Sequence, residues 1–270
     1  MLRAAVLGLL AVVDASSISV LIFGESFREN SHQHSRSFGP GGLQSQKEAA
    51  LSQVVFVLHT LVFDLGYTVK LHVYTQKSGL EHELERWYTP YNTSFVADPS
   101  YDGLGYADFI RQKVSDTDDA VLFFRPDVVF KPVTPSALAA ADKTKVLYPF
   151  ELGPELIGVD SNGKNIHERR VCDQLTWVPR AYFKQLVDAP KHYIRSHWAP
   201  NFIARDIPGG HNQMAFLLPH EVADSNPEKE RNRIFRLAGR SEPPAYEFYY
   251  FRAPRTERFC NTTFDSLLHA

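Results

Sequence analysis

The 270-residue chain is long enough to bury a substantial core, as one large α/β domain or two small ones. Its 44% hydrophobic and 22% charged residues are ordinary for a globular protein. A net charge of −2 leaves no electrostatic footprint for wholesale nucleic-acid binding, so nucleic acid is not an expected partner.

The chain opens with Met1-Leu2-Arg3, an apolar stretch from Ala4 to Val13, and small residues around Val13-Asp14-Ala15. This pattern predicts a signal peptide over 1–15, with 16–270 as the domain. The competing reading makes the stretch part of the first core element. It is too short to span a membrane, and no spanning helix is predicted elsewhere. The sequons at Asn92 and Asn261 agree with a secretory route through the ER and Golgi lumen or out of the cell. If the N-terminus is not a signal, the location is cytoplasmic. Cys172 and Cys260 either pair in an oxidising lumen or stay as buried thiols, and no zinc pattern is present.

Ile18 to Phe23 reads as a first strand, with Gly24-Glu25-Ser26-Phe27-Arg28 as the loop at its carboxyl end. Residues 29–44, rich in Ser, His and Gly, read as a long loop. Ser45 to Leu65 carries helical signals, with Gly66 as the stop. Val69 to Tyr74 is a second strand, and Leu80 to Trp87 and Tyr106 to Val114 are helices. Residues 115–119 turn into the most informative segment, Ala-Val-Leu-Phe-Phe-Arg-Pro-Asp-Val-Val-Phe from Ala120 to Phe130. Its apolar run reads as a buried strand. Pro126 has no N–H for a sheet ladder, so the strand ends or bulges there. Asp127 and Arg125 are thus delivered to the carboxyl end of a central strand, the edge where open α/β sheets bind ligands.

Pro135 to Ala141 reads as a short helix, Lys145 to Phe150 as a strand and 151–170 as irregular. The stretch 171–179 places Asp173-Gln174 before an apolar strand-like run, and Ala181 to Val187 is helical. Beyond Pro190 the chain is rich in His, Arg and aromatics. Arg231, Arg233, Arg236 and Arg240 alternate with apolar Ile234, Phe235 and Leu237, either as a solvated face or as a phosphate-facing lid. The β-α-β-α-β start predicts a Rossmann-like sheet flanked by helices, in a single domain.

Three segments together resemble the GT-A-type glycosyltransferases of algae and large algal viruses. They are Gly24-Glu25-Ser26-Phe27-Arg28 after the first strand, Phe124-Arg125-Pro126-Asp127-Val128-Val129-Phe130 after a central one, and Asp173-Gln174-Leu175-Thr176-Trp177-Val178-Pro179-Arg180. The resemblance spans about Ile18 to Tyr182. It implies a GT-A sheet and transfer of a sugar from a nucleotide-sugar donor to a hydroxyl of a glycan or glycoprotein. The family pattern often carries Asp-x-Asp to hold a divalent metal on the sugar diphosphate. Here Arg125-Pro126-Asp127 offers one acid. Either Asp127 holds Mn²⁺ or Mg²⁺ together with the substrate phosphates, or Arg125 supplies part of the positive charge.

Glycosyl transfer needs charge stabilisation on the leaving diphosphate and a base near the acceptor hydroxyl. Gly24, Glu25, Ser26, Arg28, Arg125 and Asp127 are the expected donor-binding residues. Gly24 lets the backbone approach, Ser26 hydrogen-bonds, and Arg28 reaches a phosphate or base. Asp173 is the expected general base, its pKa raised by burial beside Trp177, and Glu151 is the competing carboxylate. His211, after Gly209-Gly210, is the candidate second metal ligand beside Asp127. Two alternatives stay open: a sulfotransferase using Ser26, Arg28 and Arg125 on a phosphosulfate nucleotide, and a catalytically inactive carbohydrate-binding protein with the same fold.

Overall fold

Apolar residues at Ile18, Val20 and Ile22 alternate with Ser19, Leu21 and Phe23, so the first strand must be covered on both faces. The computed structural model describes residues 16–27, 42–91, 93–99, 103–149, 151–159, 165–171, 175–192, 214–217 and 235–237. Strand β1 (Ser17–Gly24) is followed by helix α1 (Leu43–Gln53), which runs on through two π turns, Val54–Leu58 and Thr60–Asp64. The helix stops at Gly66, whose φ of +72° is the left-handed backbone that ends helices. Then come β2 (Thr68–Gln76), α2 (Glu81–Tyr88), β3 (Thr93–Asp98), α3 (Gly103–Lys113), β4 (Ala120–Phe124), β5 (Val128–Phe130), α4 (Thr134–Ala140) and β6 (Val146–Tyr148). The described remainder contributes β7 (Glu151–Val159), β8 (Asn165–Val171), β9 (Leu175–Pro179), α5 (Phe183–His192), β10 (Met214–Phe216) and β11 (Phe235–Leu237).

Among the described residues, seven strands form one mixed sheet in the order β10-β6-β9-β4-β1-β2-β3. Strand β9 runs antiparallel to both β4 and β6, and the other neighbours pair in parallel. The β3-β2-β1-β4 portion has the strand order of a Rossmann-type half. Ile18, Val20, Ile22, Leu122 and Trp177 pack with Val54, Leu58, Trp87 and Leu138, so α1, α2 and α4 cover one face. Leu21, Tyr74, Val121, Phe123 and Val178 pack with Phe109, Ile110 and Leu186, so α3 and α5 cover the other. The fold is therefore the expected α/β sheet with helices on both sides.

Three differences from the sequence reading stand out. The run Ala120 to Phe130 is two strands: β4 stays in the main sheet, and β5 turns away at Pro126 to pair antiparallel with β11. The stretch predicted irregular over 151–170 contains the antiparallel pair β7–β8. Gly153, Pro154 and Gly158 break local strand patterning, but the ladder passes them by register shifts between Leu152 and Glu155 and between Leu156 and Gly158. Finally, Thr93–Asp98 forms an unpredicted edge strand, β3, paired with β2.

Candidate active site

The chain winds β1, β2, β3 outward in one direction and returns to place β4 on the other side of β1. The β1/β4 boundary is the topological switch point, the place at the carboxyl ends of the strands where open α/β sheets bind ligands. Gly24-Glu25-Ser26-Phe27 leaves β1 there, and Arg125-Pro126-Asp127 leaves β4 beside it. The two segments meet closely. A Cβ on Gly24, whose φ is +144°, would stand 2.8 Å from Cδ of Pro126. Glycine is required at this position both by its backbone angle and by that contact.

Three buried glutamines hold these loops. Gln76, at the end of β2, accepts from the Ser26 N–H at 3.0 Å and donates its amide to the Ser26 carbonyl at 2.7 Å, as a neighbouring strand would. Ser26 is fully buried, and its hydroxyl shares a 2.8 Å hydrogen bond with Thr75. Gln46 bridges the two segments: its Oε1 accepts from the Phe27 N–H at 3.0 Å and its amide donates to the Pro126 carbonyl at 2.7 Å. Gln53, about two helical turns further along the same face of α1, donates to the carbonyls of Arg125, Pro126 and Val128 at 3.3, 3.0 and 2.8 Å. The Tyr88 hydroxyl donates to Gln53 Oε1. Phe27 is a buried non-glycine residue at φ +55°, with its ring 6.0 Å from that of Trp87. Such a backbone persists only when its surroundings hold it, and Gln46 does so directly.

Arg125 and Asp127 form a two-point ion pair on this scaffold. Nε of Arg125 donates to Oδ1 of Asp127 at 2.9 Å and Nη2 to Oδ2 at 2.5 Å. The Asp127 side chain is 6% exposed and that of Arg125 23%, so Asp127 is the more buried partner. Each Asp127 oxygen already accepts from a cation, whose charge opposes a second cation on the same carboxylate. Among the described residues, no group of three or more His, Cys, Asp or Glu side chains stands together as a metal site.

Of the expected site residues, Gly24, Glu25, Ser26, Arg125 and Asp127 come together at the switch point. Ser26 is spent on Thr75 and on its own backbone contacts with Gln76, so it acts as a structural pin of the loop. Glu25 is half-buried in the same loop. Glu151 opens β7, opposite Val171. Arg28, Asp173 and His211 lie outside the described residues, as do Cys172, Cys260 and both sequon asparagines. Strand β9 begins at Leu175, opposite Phe124 at the end of β4, so the chain enters β9 at the same sheet edge. Arg236 lies in β11, opposite Val129, while Arg231, Arg233 and Arg240 are outside the described residues. The sequence reading missed Gln46, Gln53 and Gln76 as site-holding residues. Their signal is that Gln46 and Gln53 share the apolar stripe of α1 with Ala49 and Ala50, at helical spacing.

No protein-family model matches this chain, and no curated protein matches it. Among solved structures, it is similar to a 4-diphosphocytidyl-2C-methyl-D-erythritol synthase from Anaerococcus prevotii, with 11% identity over 76% of this chain and 87% of that one and a TM-score of 0.46. It is similar to the bifunctional glycosyltransferase WbbM, with 10% identity over 77% of this chain and 39% of that one and a TM-score of 0.43. The glycosyltransferase GlyE of Streptococcus pneumoniae matches with 11% identity over 94% of this chain and 62% of that one, at a TM-score of 0.41.

Proposed function

We propose that the chain is a nucleotide-sugar-dependent glycosyltransferase of the GT-A type, with the donor seated at the carboxyl edge of the sheet between β1 and β4. The observation that carries this reading is the Arg125–Asp127 pair, fixed at the topological switch point with Asp127 the more buried partner. A cation held there suits a diphosphate, because guanidinium matches phosphate oxygens and loses little freedom when already oriented. The loop Gly24–Phe27 forms the opposite wall and is fixed by Gln46 and Gln76.

In the proposed reaction, an acceptor hydroxyl oxygen bonds to the anomeric carbon of the donor sugar. The bond from that carbon to the diphosphate oxygen breaks, and its electron pair leaves with the nucleoside diphosphate. The hydroxyl proton goes to a carboxylate. Asp173 is the proposed base, because it stands two residues before Leu175, where the chain enters β9 at this edge. Glu151 is the competing carboxylate. The acceptor is a glycan or glycoprotein hydroxyl in the secretory pathway.

Incubating the protein with UDP- and GDP-sugars and measuring nucleotide release tests the reading, since transferases leak donor to water. Release from one donor class, accelerated by a glycan acceptor and lost in Asp173→Asn, supports it. Absence of release with every donor, with or without acceptor, contradicts it.

A further inference from the structure

We propose that Gln46 is a positioning residue that couples the β1 loop to the β4–β5 turn, and that nucleotide binding depends on the Phe27 conformation it holds. This rests on the nucleotide-sugar reading of the site and deepens it by naming what sets the spacing of the two segments at the donor position.

Phe27 stands in a conformation that its own side chain opposes. Its φ of +55° lies in the left-handed region that a bulky residue rarely adopts, and its ring is fully buried, 6.0 Å from that of Trp87. Such strain persists where the surroundings impose it, and it concentrates at ligand-binding segments. Gln46 supplies the constraint from α1. It is 2% exposed, its Oε1 accepts from the Phe27 N–H at 3.0 Å, and its amide donates to the Pro126 carbonyl at 2.7 Å. One planar amide thus fixes the Phe27 backbone relative to the turn that follows β4. Gln76 and Thr75 fasten Ser26 to β2, so one side of Phe27 is set by the sheet and Phe27 itself by α1. Both bonds need an amide, because one atom must accept while the other donates. Without Gln46 the Phe27 N–H loses its acceptor, while the Pro126 carbonyl keeps the bond from Gln53. The Phe27 backbone then relaxes toward an ordinary φ, and fewer molecules hold loop and turn in register. Apparent affinity falls with that fraction.

The test is the dissociation constant of UDP and of GDP, by calorimetry, for wild type, Gln46→Leu and Gln46→Glu. It is measured across the titration range of a buried carboxyl, about pH 5 to about pH 8. Wild type is expected to bind one of the two nucleotides. Gln46→Leu should weaken that binding about tenfold, with circular dichroism and binding stoichiometry showing the variant folded. A purely structural role would lower the melting point and leave the affinity of the folded molecules unchanged. Gln46→Glu gives the sharper readout. A neutral carboxyl accepts with one oxygen and donates with the other, as the amide does, whereas an ionised one only accepts and turns its charge on the Pro126 carbonyl. Burial favours the neutral form toward acid. The affinity of Gln46→Glu relative to wild type should therefore approach equality at the acid end and fall as pH rises. Glu25, Arg125 and Asp127 on the two segments, and Lys47 and Glu48 beside Gln46 on α1, titrate in both proteins, so the ratio reports the exchanged group. Gln46→Glu carries the test if Gln46→Leu does not fold. Undiminished binding by Gln46→Leu, or a ratio for Gln46→Glu that does not change with pH, overturns this inference, while binding by wild type leaves the transferase reading standing. Absence of binding by wild type overturns both.

Discussion

The guanidinium of Arg125 closes on both carboxylate oxygens of Asp127, two residues along the chain, and the carboxylate is the more deeply buried partner. Removing either partner therefore has unequal consequences. Arg125→Ala removes a cation from a buried carboxylate, whereas Asp127→Ala removes an acceptor from a more exposed arginine. Arg125→Ala should cost about 1–3 kcal/mol and Asp127→Ala less, with the double variant below the sum of the two. Urea denaturation of all four proteins checks the order. Equal losses that add would contradict the pairing.

Gly24→Ala should be costly because two constraints coincide. The new methyl meets Pro126 at 2.8 Å, and the backbone φ of +144° disfavours any side chain. A destabilisation of about 1–3 kcal/mol is expected, with loss of ligand binding, since the β1 loop must move from the β4–β5 turn. Gly79→Ala is the control. Its φ of +83° carries the backbone penalty, but nothing stands within 4 Å. It should cost about 1 kcal/mol and leave binding intact.

Gln53 serves three carbonyls at once. Gln53→Leu removes their donor while keeping the side chain's bulk, at a cost of about 1–3 kcal/mol. Tyr88→Phe removes only the hydroxyl that donates to Gln53 Oε1 and should cost less. Thermal melts of both variants give the comparison. A harmless Gln53→Leu would mean that the Arg125–Asp127 turn holds its own shape.

Acid should destabilise the sheet through His72, in the middle of β2. Burial pushes the His72 pKa down from 6.5 to about 4, Lys113 and Lys70 adding to the effect and Asp118 opposing it. Between those values the unfolded chain binds a proton that the folded chain refuses, so stability rises with pH across the window and is lost on acidification. Asp118 acts lower down. Its own burial raises its pKa, but hydrogen bonds from Lys70, Ser19 and Ser17 outweigh this and hold it below the usual value. Its contribution is present above the unfolded pKa and is lost as pH falls through the folded one. His72→Asn should flatten the urea midpoint between about pH 6.5 and about pH 4, leaving the steeper fall below. An unchanged slope would contradict the assignment.

The parts legible in the sequence were those with a local signature. Ala120 to Phe124 is an uninterrupted apolar run ended by a proline, and that alone located Arg125 and Asp127 at a strand's carboxyl end. Strand β3 escaped notice because it is a half-buried edge strand without a clean apolar face. Strands β7 and β8 were hidden by Gly153, Pro154 and Gly158, whose disruption is absorbed by register shifts between two chain segments. The helical spacing of Gln46 and Gln53 with Ala49 and Ala50 marks a buried face of α1 but not what the glutamines hold. Gln46 and Gln53 read as ordinary helix residues, and their partners lie 80 and 75 positions away. The pairing of Arg125 with Asp127 was equally invisible: adjacency in sequence suggested both as ligand contacts, and only the side-chain geometry shows them bonded to each other.

The central claim is the location of the ligand, and hydrogen–deuterium exchange with and without the nucleoside diphosphate that binds tests it most directly. Protection is predicted in peptides covering Gly24 to Phe27 and Phe124 to Val128, and should vanish in Arg125→Gln. Protection confined to the opposite edge, around Ser115 to Asp119, or unchanged exchange at the β1/β4 switch point under saturating nucleotide, would contradict the account.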